Sequence, residues 1–247
     1  MEAEAQPLID HLSLKPNQEF FNSPTSSGTA PFLAYQGKHE SCNITIVTNG
    51  KDAVHGTGVD NVGTIPAALA TYLALDKLNS NPDKKVDLLI NAGTCGGFKK
   101  MGAEIGDVYL TTAVANHDRR IIIPGSGFEE YGIGKVESTT VSSLAKEINA
   151  KLGVCTTGNS LDAHDVDHKL MQENEASVKD MEAAAIAWSC EMHQTPHFGI
   201  KVVTDIVDGD KPSHEEFMEN LGTAAQSLQG ALPKVIEYIC GKGHDEL

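Results

Sequence analysis

The chain has 247 residues, and 34 Asp and Glu against 19 Lys and Arg leave a formal net charge of −15. A field of that sign repels duplex nucleic acid and anionic membranes, and the few basic residues are scattered rather than gathered into a stripe. With 40% hydrophobic and 21% charged residues the composition is globular, no window approaches the roughly 18 consecutive apolar residues of a membrane span, and length suffices for a substantial core.

At the N-terminus, Met1-Glu2-Ala3-Glu4 reads on composition as a solvated acidic tail. A Gly-, Pro- and Ser-rich stretch over 22–31 is a loop. The β-branched run 44–48 predicts a strand, and 63–77, rich in Ala and Leu with Pro66 near its start, predicts a helix. Strands follow over 86–92 and 108–115, then a loop over 124–134 and a strand over 154–157. A helix over 182–192 and a strand over 198–204 come next. Ser213-His214-Glu215-Glu216 is a capping box in which Ser213 and Glu216 satisfy each other's orphan amides, and Phe217, Leu221 and Leu228 continue one apolar face behind it.

Strands alternating with helices imply a layered α/β architecture. No repeat or long linker interrupts it, so 1–247 is expected to be one domain. The five cysteines are odd in number and widely spaced, with no CxxC pair; reduced thiols and a cytoplasmic location are the economical reading. The chain ends His244-Asp245-Glu246-Leu247, the letters of an endoplasmic reticulum retention signal. Such a signal is read only in the lumen, and no basic n-region followed by an apolar stretch opens the chain, so the match is treated as coincidence.

Three stretches are candidates for chemistry, and each has an ordinary structural explanation when taken singly. NAGTCGG (91–97) continues an apolar strand into a small glycine-rich turn that would let a ligand approach the backbone; it lacks both a GK[ST] ending and a GxGxxG pattern. KDMEAAA (179–185) follows a short strand and delivers Glu182 to the start of an alanine-rich helix, where the helix dipole favours it. KVVTDIVDGDKP (201–212) places Asp205 at the end of an apolar strand, where desolvation would raise its pKa toward that of a usable proton donor.

Other constellations fail on spacing. Asp162, His164, Asp165, Asp167 and His168 do not follow a known metal-ligand pattern, and Asp208-Gly209-Asp210 lacks the sixth-position glycine of a calcium loop. The GNSLD segment (158–162) is one residue short of a GxSxG elbow, and no His is tied by motif to Cys95.

Together, and in this order, NAGTCGG, KDMEAAA and KVVTDIVDGDKP resemble the 5′-methylthioadenosine/S-adenosylhomocysteine nucleosidases of the purine nucleoside phosphorylase superfamily, most closely their plant-type branch. HDRRIIIP (117–124) and TTGNSLD (156–162) match that branch too. The resemblance spans essentially the whole chain. It implies an α/β fold of three layers, a central mixed β-sheet flanked by helices, and it implies hydrolysis of an N-ribosidic bond.

By the resemblance, Met1-Glu2-Ala3-Glu4 is part of the site rather than a tail. Glu4 would activate the attacking water, Asp205 would protonate adenine N7, and Glu182 would hold the ribose hydroxyls. Thr94 and Thr204 would orient carboxylates. Leu161 would pack on the adenine ring with the Asp162 backbone at its Watson-Crick edge, Met1 and Met181 would line the sugar and thioalkyl side, and Lys179 belongs with the substrate-binding positions.

The family's apolar first strand, which should precede Met1, is missing from this chain, and a truncated start is expected. The resemblance also implies a homodimer whose neighbouring subunit closes the thioalkyl end through 117–124, where Ile121-Ile122-Ile123 would be either a contact patch or an internal strand end. The loop 52–60, two residues longer than usual, bears on the room beyond the sulfur. No metal or cofactor is required.

Two alternatives stay open. A phosphorylase would need the Arg that such relatives carry ahead of the glycine-rich turn, where this chain has Asn91; a catalytically inactive nucleoside-binding relative would not need all three carboxylates.

Overall fold

The computed structural model of the chain describes residues 1–22, 30–81 and 85–247, so most of the loop over 22–31 lies outside the described residues. In chain order the elements are α1 (Glu2–His11), β1 (Lys15–Pro16), β2 (Leu33–His39), β3 (Cys42–Thr48), α2 (Thr64–Leu78), β4 (Leu89–Gly97), β5 (Val108–Asn116) and α3 (Phe128–Ile133). They continue with β6 (Val136–Glu137), α4 (Ser142–Ile148), β7 (Lys151–Thr157), α5 (Asp165–Glu173), β8 (Ala176–Asp180), α6 (Ala183–His193), β9 (His197–Ile206) and α7 (Ser213–Ile239).

Six strands form a mixed sheet in the order β6-β5-β7-β8-β4-β9, and β9 also pairs antiparallel with β5, so the sheet curls until it closes on itself. Along β9, Phe198, Ile200 and Val202 face one side, where they pack with Leu144 of α4 and Leu228, Leu232 and Val235 of α7. Val203 faces the other and packs with Cys155, Val178 and the alanines of α6. This period of two, buried on both faces, makes the strand a nearly unbroken apolar run in the sequence and gives the expected layers of helix, sheet and helix. Strands β1, β2 and β3 form a separate antiparallel sheet. Among the described residues no ladder joins the two sheets; β3 and β4 line the same cavity.

Several local expectations are corrected. The acidic opening is a helix: Glu2 and Glu4 stand in the first turn of α1, where the helix dipole favours them, and Ile9 packs with Leu12, Leu14 and Ile236. The strand expected over 86–92 lies further on, and the glycine-rich stretch is part of it rather than a turn. The predicted capping box does not form. The cap of α7 is Pro212, the Ser213 hydroxyl is hydrogen-bonded to Asp205, and the Glu216 carboxylate accepts from the Ile206 amide at 2.6 Å. Tertiary partners outcompete the local ones.

Residues 121–123 are not a strand end; Ile122 and Ile123 are exposed. At the C-terminus Leu247 is buried in the main core, and an oxygen of its terminal carboxylate accepts from the amides of Ser143 and Leu144 at 2.8 and 2.9 Å.

Candidate active site

Three carboxylates reach one cavity of about 1660 Å3 from three different parts of the chain: Glu4 from α1, Glu182 from the start of α6 and Asp205 from the end of β9. Met1, Thr94, Leu161, Lys179, Met181 and Thr204 also line it, whereas Asp162 stands just outside the lining.

The chain path explains the convergence. Glu4 lies over β4, where Oε1 accepts from the Thr94 amide at 2.8 Å and the Thr94 hydroxyl at 2.9 Å. The α-amine of Met1 contacts the other oxygen. At Gly93 an added Cβ would stand 3.5 Å from Glu4 Oε1, an ordinary contact that a larger residue could make. Gly96 is the position that must stay bare, since its Cβ would come within 2.9 Å of Asp205 Oδ2 and 2.6 Å of Val207. Gly96 is thus required by the close approach of Asp205 and Val207, and Gly97 by Ala103 and Val203, which an added Cβ would meet at 2.7 and 2.8 Å, rather than by a turn.

Asp205 is only 4% exposed. Burial pushes its carboxyl above the usual range, against the opposing pull of hydrogen bonds from Thr204 and Ser213 and of the Lys179 charge. The Thr204 hydroxyl lies 2.8 Å from Asp205 Oδ1 and 3.0 Å from the Cys95 carbonyl, and with one proton it serves one of them at a time. Asn220 of α7 donates to the Thr204 carbonyl at 3.1 Å and holds the strand end in place.

Glu182 is the residue before α6 rather than a member of its first turn. Its Oε1 accepts from the Gly63 amide at 2.8 Å, so it caps α2, a helix distant in sequence; Asn159 completes that cap by accepting from the Thr64 amide at 2.9 Å. Burial, and then the charge of Asp180, raise the Glu182 carboxyl above its ordinary range, while Lys201 and the Gly63 amide oppose the shift.

Beneath Glu182 lies a feature that motif reading missed. Lys201, 2% exposed, pairs with the equally buried Asp180 at 2.8 Å. Asp180 also accepts from the Thr157 hydroxyl at 2.7 Å and the Ala183 amide at 2.9 Å, and the Ala184 amide donates to Thr157 at 2.9 Å. The two side chains thus cap α6 and fix the residue before it. The available signals were a lysine inside an otherwise apolar strand and an aspartate two positions before Glu182.

Lys179 is turned away from solvent, and its ammonium donates to the carbonyls of Ser160, Leu161 and Asp162. Asn91, near the start of β4, is uncharged, and its Nδ2 is buried without a hydrogen-bond partner. No arginine lines the cavity among the described residues. The loop after β3 is tied to the site through Asp60, whose carboxylate accepts from the Glu2 amide at 2.9 Å. Asp52 closes the same loop by accepting from the amides of Val54, His55 and Thr57.

The remaining acidic and thiol candidates have structural duties. Asp167 pairs with Arg120 and accepts from the His164 amide, Asp208 accepts from the amides of Lys99 and Lys100, and burial holds the Cys95 thiol well above its usual range.

Residues 1–237 match the model of the phosphorylase superfamily. The chain is 43% identical over 247 residues, all of this chain and 87% of the relative, to 5′-methylthioadenosine nucleosidase of Arabidopsis thaliana. It is 44% identical to the 5′-methylthioadenosine/S-adenosylhomocysteine nucleosidase of the same plant, over 98% of this chain and 90% of that one. The solved apo structure of the Arabidopsis 5′-methylthioadenosine nucleosidase superposes with a TM-score of 0.90 at 42% identity, covering 100% of this chain and 96% of that chain.

Proposed function

This chain belongs to the phosphorylase superfamily, and from that premise we propose that it hydrolyses the N-glycosidic bond of 5′-methylthioadenosine to adenine and methylthioribose, a purine nucleosidase acting in methionine salvage. The observation that carries the reading is the meeting of Glu4, Glu182 and Asp205 in one cavity whose described lining holds no arginine. Lys201 is spent on Asp180, Lys179 on three carbonyls, and Asn91 stands where phosphorylase relatives carry an arginine. A phosphate dianion entering among these acidic side chains would find neither Lys179 nor Lys201 free to pair with it, whereas water would not be repelled.

The chemistry divides among the three. Asp205, whose carboxyl burial raises above the usual range, is placed to donate a proton to adenine N7, which turns the base into a neutral leaving group. As the bond breaks, positive charge develops on the ribose, and Glu182 holds the 2′- and 3′-hydroxyls in its field. Glu4, located by the two Thr94 donors, takes a proton from the water that attacks C1′. Leu161 packs on the purine, and Met1 and Met181 border the sugar and thioalkyl end. S-adenosylhomocysteine shares the adenine, ribose and thioether, so the same carboxylates serve it wherever its longer tail fits beyond the sulfur.

A homodimer in the cytoplasm is part of the proposal. Ile65, Leu69, Tyr72 and Leu73 on α2, with Trp188 and Met192 on α6, are exposed on two helices that pack against each other, and Ile122 and Ile123 are exposed in the segment assigned to closing the neighbour's site. An apolar surface of this kind on a single chain suits a partner copy.

The test is release of adenine from 5′-methylthioadenosine in phosphate-free buffer. Steady turnover is expected; a purified chain that binds the nucleoside and releases no base would leave only a binding protein.

A further inference from the structure

We infer that Lys179 is a positioning residue that sets base selectivity: its ammonium gathers the carbonyls of Ser160, Leu161 and Asp162 and thereby turns the backbone amides of this loop outward as the donors that read the purine edge. The inference deepens the function proposed above and rests on it for the identity of the base.

The contacts are specific. Lys179 Nζ lies 2.9 Å from the Ser160 carbonyl, 2.5 Å from that of Leu161 and 3.3 Å from that of Asp162. An ammonium has three protons, so the three carbonyls use its full donor capacity. The side chain itself is 6% exposed. Desolvation presses it to lose its proton, and the charges of Asp205, Asp162, Asp167 and Asp118 oppose that loss.

Peptide geometry then fixes the other side of the loop. No cis peptide bond occurs among the described residues, and in a trans peptide unit the N–H points opposite to the C=O. Carbonyls drawn in toward Lys179 therefore send the amides of Leu161, Asp162 and Ala163 the other way. None of these three amides donates to another described residue, and Leu161 borders the cavity that holds the three carboxylates. Leu161 is 42% exposed, so water serves these amides in the free protein, and a base seated against Leu161 displaces that water and must supply the acceptor itself. Adenine offers N1 as an acceptor on its outer edge. A 6-oxo purine carries a proton on N1, so the same amide would meet a donor instead, and a site built this way rejects the wrong base because its own group is left unpaired.

The experiment compares adenine with hypoxanthine on the native protein and on Lys179→Met. Calorimetric binding of the free bases is one arm, and the ratio of kcat/KM for 5′-methylthioadenosine to that for 5′-methylthioinosine is the other. Lys179→Met is expected to narrow the adenine preference by about tenfold or more in both arms, and Lys179→Arg, which still donates to carbonyls, to restore part of it. A ratio unchanged in Lys179→Met, even with both bases weakened equally, would overturn the inference and leave Lys179 a structural lysine. Should Lys179→Met not fold, Lys179→Gln, which keeps an amide donor for one carbonyl, is read on the same ratio. The binding arm separates the two claims: a native protein that prefers adenine but releases none from the nucleoside contradicts the function and leaves the role of Lys179 to be judged on binding alone.

Discussion

Removing the cation from the buried pair beneath Glu182 should damage this protein more than any surface charge change. In Lys201→Met, Asp180 keeps the Thr157 and Ala183 donors and loses its countercharge, with both side chains of the pair almost fully buried. A buried pair broken from one side costs about 3–5 kcal/mol, mostly the desolvation of the partner left behind. For a chain of 247 residues that corresponds to a fall in Tm of roughly 6–20 °C.

The pH dependence has a definite sign. In the native protein burial pushes Asp180 upward, but Lys201, Thr157 and the Ala183 amide outweigh it and hold the carboxyl below its ordinary range. Its stabilisation is thus present above the unfolded value and is lost as pH falls through the folded one. Without Lys201 burial prevails, the folded carboxyl rises above the unfolded one, and the deficit of the variant should shrink as pH is lowered from 8 to 5. Urea denaturation of the native protein, Lys201→Met and Asp180→Asn/Lys201→Met measures all of this. The double variant should recover much of the loss, because a neutral amide needs no countercharge. A deficit under about 1 kcal/mol, or one that the second substitution deepens, would refute the account of this pair.

The other expectations concern the acid and the core. Asp205→Asn should lower kcat by about 10²- to 10⁴-fold while nucleoside binding stays within a few-fold, measured by steady-state rates and calorimetry; a near-normal rate removes Asp205 as the acid. Ser213→Ala deletes a hydrogen bond that holds the Asp205 carboxyl down. Turnover that needs this group protonated is lost as pH rises through its pKa, so the basic limb of the kcat/KM profile should move to higher pH, and a downward move would contradict the assignment. Leu247→Ala empties a buried core position and should cost about 2–4 kcal/mol in denaturant unfolding.

The parts of the site that were legible in the sequence are those whose chemistry is local. Asp205 ends an apolar strand and Glu182 precedes an alanine-rich helix, so each stands out where it is, and the apolar runs of β5 and β9 announce strands buried on both faces. Glu4 was recognisable only through resemblance, because its partner Thr94 is far along the chain and composition alone makes it a tail. The same distance hid the pair of Lys201 with Asp180 and the cap that Glu182 places on α2. The Ser213 capping box was misread for a complementary reason: a sequence shows the local acceptor but not the Asp205 carboxylate and Ile206 amide that compete for it. Gly96 of β4 looks like part of a turn until the Asp205 carboxyl that crowds it is in view.

That three acidic side chains, with no arginine in the described lining, commit this cavity to water is tested most directly by identifying the sugar product. Purified protein is given 5′-methylthioadenosine with an excess of inorganic phosphate, and the reaction is followed to completion by phosphorus NMR alongside adenine release. The account predicts full release of adenine with inorganic phosphate as the sole phosphorus resonance; growth of a methylthioribose 1-phosphate signal in step with adenine would contradict it.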